Sequence, residues 1–106
     1  MNLSQLRHLL ALAEYQSFRK AADALFLTQP ALSRSIQALE EELGVKLIDR
    51  SGRQNTLTAY GRQVVAGAQR VLFETRELRR GVDLLRSGEL GSIRIGYGSG
   101  PAAVLE

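Results

Sequence analysis

Gln29, Ser33, Arg34 and Gln37 can all donate hydrogen bonds, and on a helix their spacing would put them along one side. Behind them, Leu32, Ile36, Leu39 and Leu43 follow spacings of 4, 3 and 4 and form a single apolar stripe. Pro30, Arg34 and Gln37 lie nearly opposite that stripe, with Gln29 and Ser33 on its flank. Thr28 suits an N-cap, and Pro30 is tolerated in a first turn, whose N–H groups lack intrahelical partners. Gly44 suits the stop. Glu40, Glu41 and Glu42 crowd the end that the helix dipole does not favour for acids, and they read as running along the outside. The helix predicted over 28–43 is therefore polarised. Its first half offers uncharged hydrogen-bonding groups and one arginine, and its second half is acidic. Such a helix could approach a polyanion N-terminal end first. The plain alternative is a solvated helix face, so the neighbouring elements decide.

The totals narrow the chemistry. The chain has 106 residues, room for one small domain and an extension. Fourteen basic against eleven acidic side chains give +3, which is compatible with nucleic acid without demanding it. His8 is the single histidine and cysteine is absent, which argues against a zinc site or a thiol nucleophile. No apolar run approaches the ~18 residues of a membrane span, and the N-terminus lacks a signal pattern. A cytoplasmic protein without metal or cofactor is the expectation.

The elements that would position the polar face come next. Asn2 and Gln5 have the spacing of a capping box, and Leu6, Leu9, Leu10 and Ala13 give the first helix a core face. His8 falls off that face and reads as a surface residue. Ser17 can cap a second helix of about eight residues, with Phe18, Ala21, Ala22 and Leu25 inward and Arg19, Lys20 and Asp23 outward. Phe26-Leu27 is a very short joint to the central helix. Two short helices, a tight joint and small alanines between them read as helix-turn-helix, although the joint carries Phe26 where glycine is common.

Val45 to Arg50, the turn residues Ser51-Gly52-Arg53-Gln54, and Asn55-Thr56-Leu57 read as a two-stranded hairpin with Arg50 and Arg53 at its tip. A hairpin directly after a helix-turn-helix is a wing. Thr58 can then cap a helix with no strong stop before Ser87-Gly88, about 30 residues or ~45 Å. Gly61, Ala68, Thr75 and Val82 repeat every seven residues, as do Val64, Val71, Leu78 and Leu85, with Leu72 widening the seam. Coiled-coil pairing with a second copy is the economical way to bury it. The arginines at 70, 76, 79, 80 and 86 lie mostly off the seam and read as solvated. Gly88 and Gly91 mark a hinge. Ser92 to Tyr97 is a strand candidate, followed by a glycine turn and by Pro101 opening a helix, as at the start of an α/β domain. The glycines lack the full phosphate-loop fingerprint. The expected organisation is a head over 1–58, a linker helix over 59–88, and over 89–106 a hinge and the start of a truncated domain belonging to a longer protein.

These motifs together resemble the N-terminal part of LysR-type transcriptional regulators. The resemblance rests on Ser17-Phe18-Arg19-Lys20-Ala21-Ala22, Thr28 to Arg34, Leu39 to Gly44, Leu47-Ile48-Asp49-Arg50, Arg53, Leu57-Thr58 and Gly61. It implies a mostly α fold: a winged helix-turn-helix of three helices plus a two-stranded wing, then a long dimerisation helix. It further implies antiparallel pairing of linker helices and binding to interrupted inverted repeats of double-stranded promoter DNA. A higher oligomer in the full-length protein, and a small-molecule effector taken up by a C-terminal domain, are part of the same implication. Residues matching Gln29, Pro30, Ser33 and Arg34 would enter the major groove, with Thr28 and Gln37 beside them. Arg53 would lie near the minor groove, and Arg50 and Lys20 by the phosphates. The seam residues Val64, Ala68, Val71, Leu72, Thr75, Leu78, Val82 and Leu85 would hold the dimer. Two departures stand out. Ile48 replaces the usual phenylalanine, and Gln54-Asn55-Thr56 makes the wing less basic or apolar than many.

Three functions are thus weighed: a DNA-binding regulator, a dimerisation or protein-interaction module, and an enzyme. For an enzyme, no histidine, cysteine, aspartate or glutamate cluster supports catalysis, since Glu40 to Glu42 read as running along the outside of a helix. The interaction module leaves the polar helix face and the arginines of the wing without a task. Within DNA binders, another winged-helix class, such as a molybdate-responsive regulator, is the runner-up.

Overall fold

The computed structural model describes the backbone of residues 1–95 and the side chains of residues 1–89. Helices α1 (Leu3–Tyr15), α2 (Phe18–Leu25) and α3 (Gln29–Leu43) precede strands β1 (Ile48–Asp49) and β2 (Thr56–Leu57), and α4 follows over Ala59–Ile95. The strands pair antiparallel, with Ile48 opposite Leu57 and Asp49 opposite Thr56. This is a winged helix-turn-helix followed by a long helix. Two compact units form, Met1–Leu72 and a second beginning at Phe73.

Each helix of the first unit starts where a side chain can satisfy its free N–H groups. The Asn2 carboxamide accepts from the Gln5 N–H at 2.8 Å, and the Gln5 side chain accepts from the Asn2 N–H at 3.0 Å. Ser17 Oγ accepts from the Lys20 N–H at 3.1 Å, and Thr28 Oγ1 from the Ala31 N–H at 3.2 Å. Thr58 Oγ1 accepts from the Gly61 N–H at 3.0 Å and donates to the Lys46 carbonyl at 2.6 Å, so one hydroxyl starts α4 and ties it to the wing.

Stops are left-handed residues: Gln16 (φ 56°), Phe26 (φ 59°) and Gly44 (φ 75°). Only the last is glycine, so the other two carry the Cβ crowding that costs about 1–2 kcal/mol. At the joint, the Leu27 N–H donates to the Ala22 carbonyl at 2.9 Å, and the Phe26 ring is 95% exposed. The geometry that glycine often supplies in this turn is therefore present without glycine.

Leu9, Leu12, Leu32, Ile36, Leu39 and Leu47 are fully buried, each contributing about 1.5–3 kcal/mol. That burial, rather than intrinsic propensity, holds the eight-residue α2. Ala21 and Ala22, also buried, let the helices approach. Three expectations about individual side chains need correction. In α1, Leu12 is buried with Leu6 and Leu9, while Leu10 and Ala13 are half-buried. Leu43 is 37% exposed, so the α3 stripe ends at Leu39. His8 is half-buried, its Nδ1 lying 2.7 Å from Ser35 Oγ on α3.

The first turns of α4 belong to the first unit. Ala68 and Leu72 are buried there, and Val64 and Val65 pack on the core. At Gly61 an added Cβ would stand 2.2 Å from the Leu47 carbonyl oxygen, so only glycine allows this approach. In the second unit, Leu78, Val82 and Leu85 of the expected seam are exposed. Arg80 pairs with Glu77 at 3.2 Å and Arg86 with Asp83 at 2.7 Å, one turn apart on the helix surface.

The expected helix stop at Ser87-Gly88 and the strand from Ser92 are not found. The backbone stays helical through Ile95. A glycine costs a helix about 1 kcal/mol without stopping it, and each further residue still adds a hydrogen bond. The glycine turn and the helix expected from Pro101 lie outside the described residues.

Candidate nucleic-acid interface

The polar face of α3 is exposed where the sequence places it. Thr28, Gln29, Pro30, Arg34 and Gln37 are exposed and Ser33 is half-buried, while Leu32, Ile36 and Leu39 behind them are at 0%. The helix is thus anchored by one face and presents the other. Its grip on the rest of the unit has a polar part as well. His8 on α1 holds Ser35, the residue next to Arg34. Burial, and then the Arg7 guanidinium, hold the His8 imidazole below its ordinary pKa of 6.5.

Glu40 corrects the sequence reading most sharply. It does not run along the outside but is 5% exposed. Its Oε2 accepts from the Leu47 N–H at 2.8 Å and the Ile48 N–H at 3.3 Å. Its Oε1 faces the Lys46 ammonium at 3.9 Å, without a hydrogen bond. A carboxylate accepting two backbone N–H groups is a strong charge-assisted clamp, and it fastens the first strand of the wing to α3. Glu41 and Glu42 do lie outside, and Glu42 pairs with the N-terminal ammonium. Glu40 sits four residues after Ile36, at the edge of the apolar stripe, and that spacing was the available signal.

The wing is held a second time by α1, where the Gln16 carbonyl accepts from the Asn55 N–H at 3.3 Å. Its turn is ordered by Asp49, whose Oδ1 accepts from Ser51 Oγ at 2.6 Å and from the Ser51 N–H at 2.9 Å. These two bonds, the side-chain one first, hold the Asp49 carboxyl below the usual carboxylate range. Arg53 is exposed in the turn. Arg50 is exposed too, with its guanidinium carbon 4.9 Å from the centroid of the Phe18 ring. Lys20 is exposed in the first turn of α2. Among the described residues no cluster of three or more His, Asp or Glu could hold a metal ion, and no helix is long and apolar enough to cross a membrane.

Comparison with known proteins matches residues 3–62 to the family described as "Bacterial regulatory helix-turn-helix protein, lysR family". The SDS degradation transcriptional activation protein of Pseudomonas sp. (strain ATCC 19151) is 52% identical over 104 residues, which cover 98% of this chain and 34% of that protein. A probable hydrogen peroxide-inducible genes activator of Streptomyces viridosporus is 42% identical over 95 residues, covering 90% of this chain and 30% of that one. The chain thus spans about a third of the length of these relatives. Among solved structures, the BenM DBD/catB site 1 DNA complex matches at a TM-score of 0.80 and 41% identity, covering 83% of this chain and 98% of that one. The CbnR DBD–DNA complex matches at 0.70 and 38%, covering 82% and 97%.

Proposed function

The chain belongs to the LysR family of bacterial regulatory helix-turn-helix proteins, and from that premise we propose that it is the head of a transcriptional regulator that binds double-stranded DNA sequence-specifically as a homodimer. The observation that carries this reading is the exposed face of α3, with Gln29, Pro30, Ser33, Arg34 and Gln37 backed by a fully buried stripe. A guanidinium has five donors and no use in an apolar core, so a polar partner explains Arg34.

In the proposed complex the first half of α3 enters a major groove. Arg34 suits guanine and Gln29 suits adenine, each good bidentate pair giving ~1–3 kcal/mol of discrimination. Ser33 and Gln37 add adaptable hydrogen bonds, and Pro30 packs against base edges. Thr28, Lys20, Arg50 and Arg53 meet phosphates, which fix register and supply affinity, with Arg53 beside the minor groove. Residues 1–58 are the DNA-binding head, and 59–88 the dimerisation helix.

Val64, Ala68, Val71, Leu72, Thr75, Leu78, Val82 and Leu85 form the proposed seam. Ala68 and Leu72 are already buried in the first unit, so the later members carry most of the association. A C-terminal domain of the full-length protein would take a small-molecule effector and support a higher oligomer. The setting is the bacterial cytoplasm, where the DNA is.

Selection of bound duplexes from a randomised library, followed by competition against random duplex, tests the reading. Gln29→Ala and Arg34→Ala are expected to keep the fold and the dimer but to lose preference for the selected sequence. Unchanged preference in both variants, with unchanged circular dichroism melts, would overturn the placement of α3.

A further inference from the structure

Arg50 stands on the surface of the wing, yet its guanidinium carbon is 4.9 Å from the Phe18 ring centroid. A cation at that distance over a ring is drawn to the negative face of the aromatic quadrupole. The guanidinium is planar, and its N–H groups lie in its own plane. A ring beneath it therefore restrains the arginine while leaving its donors free to meet an anion.

The ring and the arginine both stand on fixed ground. Phe18 is the first residue of α2, directly after the cap Ser17, and packs partly buried on the core. Arg50 follows the last residue of β1. That strand is clamped at its start by Glu40, through the N–H groups of Leu47 and Ile48 at 2.8 and 3.3 Å. The Asn55 N–H, just before β2, is held by the Gln16 carbonyl at 3.3 Å, two residues before Phe18. The wing is thus tied to the α1–α2 junction by a backbone bond and an aromatic contact.

We propose that Phe18 is a positioning residue for DNA binding, its ring holding the Arg50 guanidinium ready for a phosphate oxygen. An unrestrained arginine loses most of its rotamer freedom when it binds, whereas one already resting on a ring loses less. The inference rests on the reading of this head as DNA-binding.

The test uses the full chain and a labelled mixed-sequence 40-base-pair duplex, with binding followed by fluorescence anisotropy at low salt. Arg50→Ala should weaken binding about tenfold, as for loss of one phosphate contact. Phe18→Leu, which keeps apolar bulk but removes the ring, should weaken it about three- to fivefold. Phe18→Tyr, which keeps the ring, should stay within about twofold of the parent. The double variant Phe18→Leu/Arg50→Ala should bind no worse than Arg50→Ala alone. In proton NMR spectra, the Arg50 side-chain protons should carry an upfield ring-current shift in the parent and in Phe18→Tyr, and lose it in Phe18→Leu.

Additive losses in the double variant, or a Phe18→Tyr as weak as Phe18→Leu, would show that Phe18 acts only through the core and would overturn the proposal. If Phe18→Leu melts below the assay temperature, the Arg50 side-chain protons of the parent carry the test instead, and absence of an upfield ring-current shift there overturns the proposal. A parent that binds duplex while Arg50→Ala binds equally well removes the phosphate contact but leaves DNA binding standing. A parent that binds no duplex removes the wider reading itself.

Discussion

Leu9, Leu12, Leu32, Ile36, Leu39 and Leu47 are fully buried in the first unit, whereas Leu78, Val82, Leu84 and Leu85 in the second keep 52–70% of their surface exposed. Both sets come from helical or near-helical sequence with similar apolar spacing. The difference lies in what each can pack against. In the first unit three helices and a hairpin face one another, so each stripe meets another stripe. In residues 73–89 there is one helix, and its stripe can be covered only by something other than itself. Apolar periodicity therefore states that a face will be buried, and the number of neighbouring elements states whether the same chain can do it.

The largest expected effect breaks this contrast from the second unit. Leu78→Lys combined with Leu85→Lys should convert a dimer into a monomer in sedimentation experiments. Affinity for a duplex carrying two half-sites should fall by about 100-fold or more, because linking two heads makes the second contact intramolecular. The melting of the head should change little. A parent chain that is monomeric at micromolar concentration, or a double variant that stays dimeric, would remove the seam.

Two glycines of α4 sharpen the contrast at smaller scale. At Gly61 a Cβ would lie 2.2 Å from the Leu47 carbonyl oxygen, and backbone cannot step aside, so Gly61→Ala should destabilise by about 3 kcal/mol. At Gly81 nothing lies within 4 Å, so Gly81→Ala should stabilise by about 0.5–1 kcal/mol through helix propensity. Urea unfolding read at a helical circular dichroism band measures both. Equal and small effects at the two sites would mean that α4 does not press on Leu47 as closely as the structure shows.

Much of the fold was legible because its signals are local. The capping box of Asn2 and Gln5, the caps Ser17, Thr28 and Thr58, and the stripe Leu32, Ile36, Leu39 each lie within one or two helical turns. The exposed face of α3 followed from the same periodicity, read on the other side. What sequence reading missed depends on partners far along the chain. Glu40 looked like one of three solvated acids, because nothing near it shows that the Leu47 and Ile48 N–H groups will arrive there. Phe18 and Arg50 are 32 positions apart, and their contact exists only once the wing folds back. The helix through Gly88 to Ile95 was missed for the opposite reason. Its glycines read locally as stops, whereas a helix already formed continues through them.

The smallest expected effect concerns His8, whose Nδ1 holds Ser35 one residue from Arg34. Burial and the Arg7 charge disfavour the imidazolium, so the folded-state pKa lies below the ordinary 6.5. Above 6.5 the imidazole is neutral in both the folded and the unfolded chain. As pH falls below 6.5 the unfolded chain binds the proton first, so stability declines from there down through the folded pKa. A hydroxyl can accept from the protonated ring, so the bond between Nδ1 and Ser35 survives protonation, and the loss comes from charging a half-buried ring beside an arginine. Asp49 acts in a separate window, since its depressed pKa withdraws stability only below its ordinary 3.8. The melting temperature of the head should therefore fall between pH 7.5 and 5.5 in the parent, and fall less in His8→Gln, which keeps a group able to bond Ser35. The same decline should persist in the monomeric Leu78→Lys/Leu85→Lys chain, because the groups involved all lie in the first unit. An equal decline in parent and His8→Gln would assign the acid sensitivity elsewhere. A decline that vanished in the monomer would place it at the seam, and the separation of the two regions would then not hold.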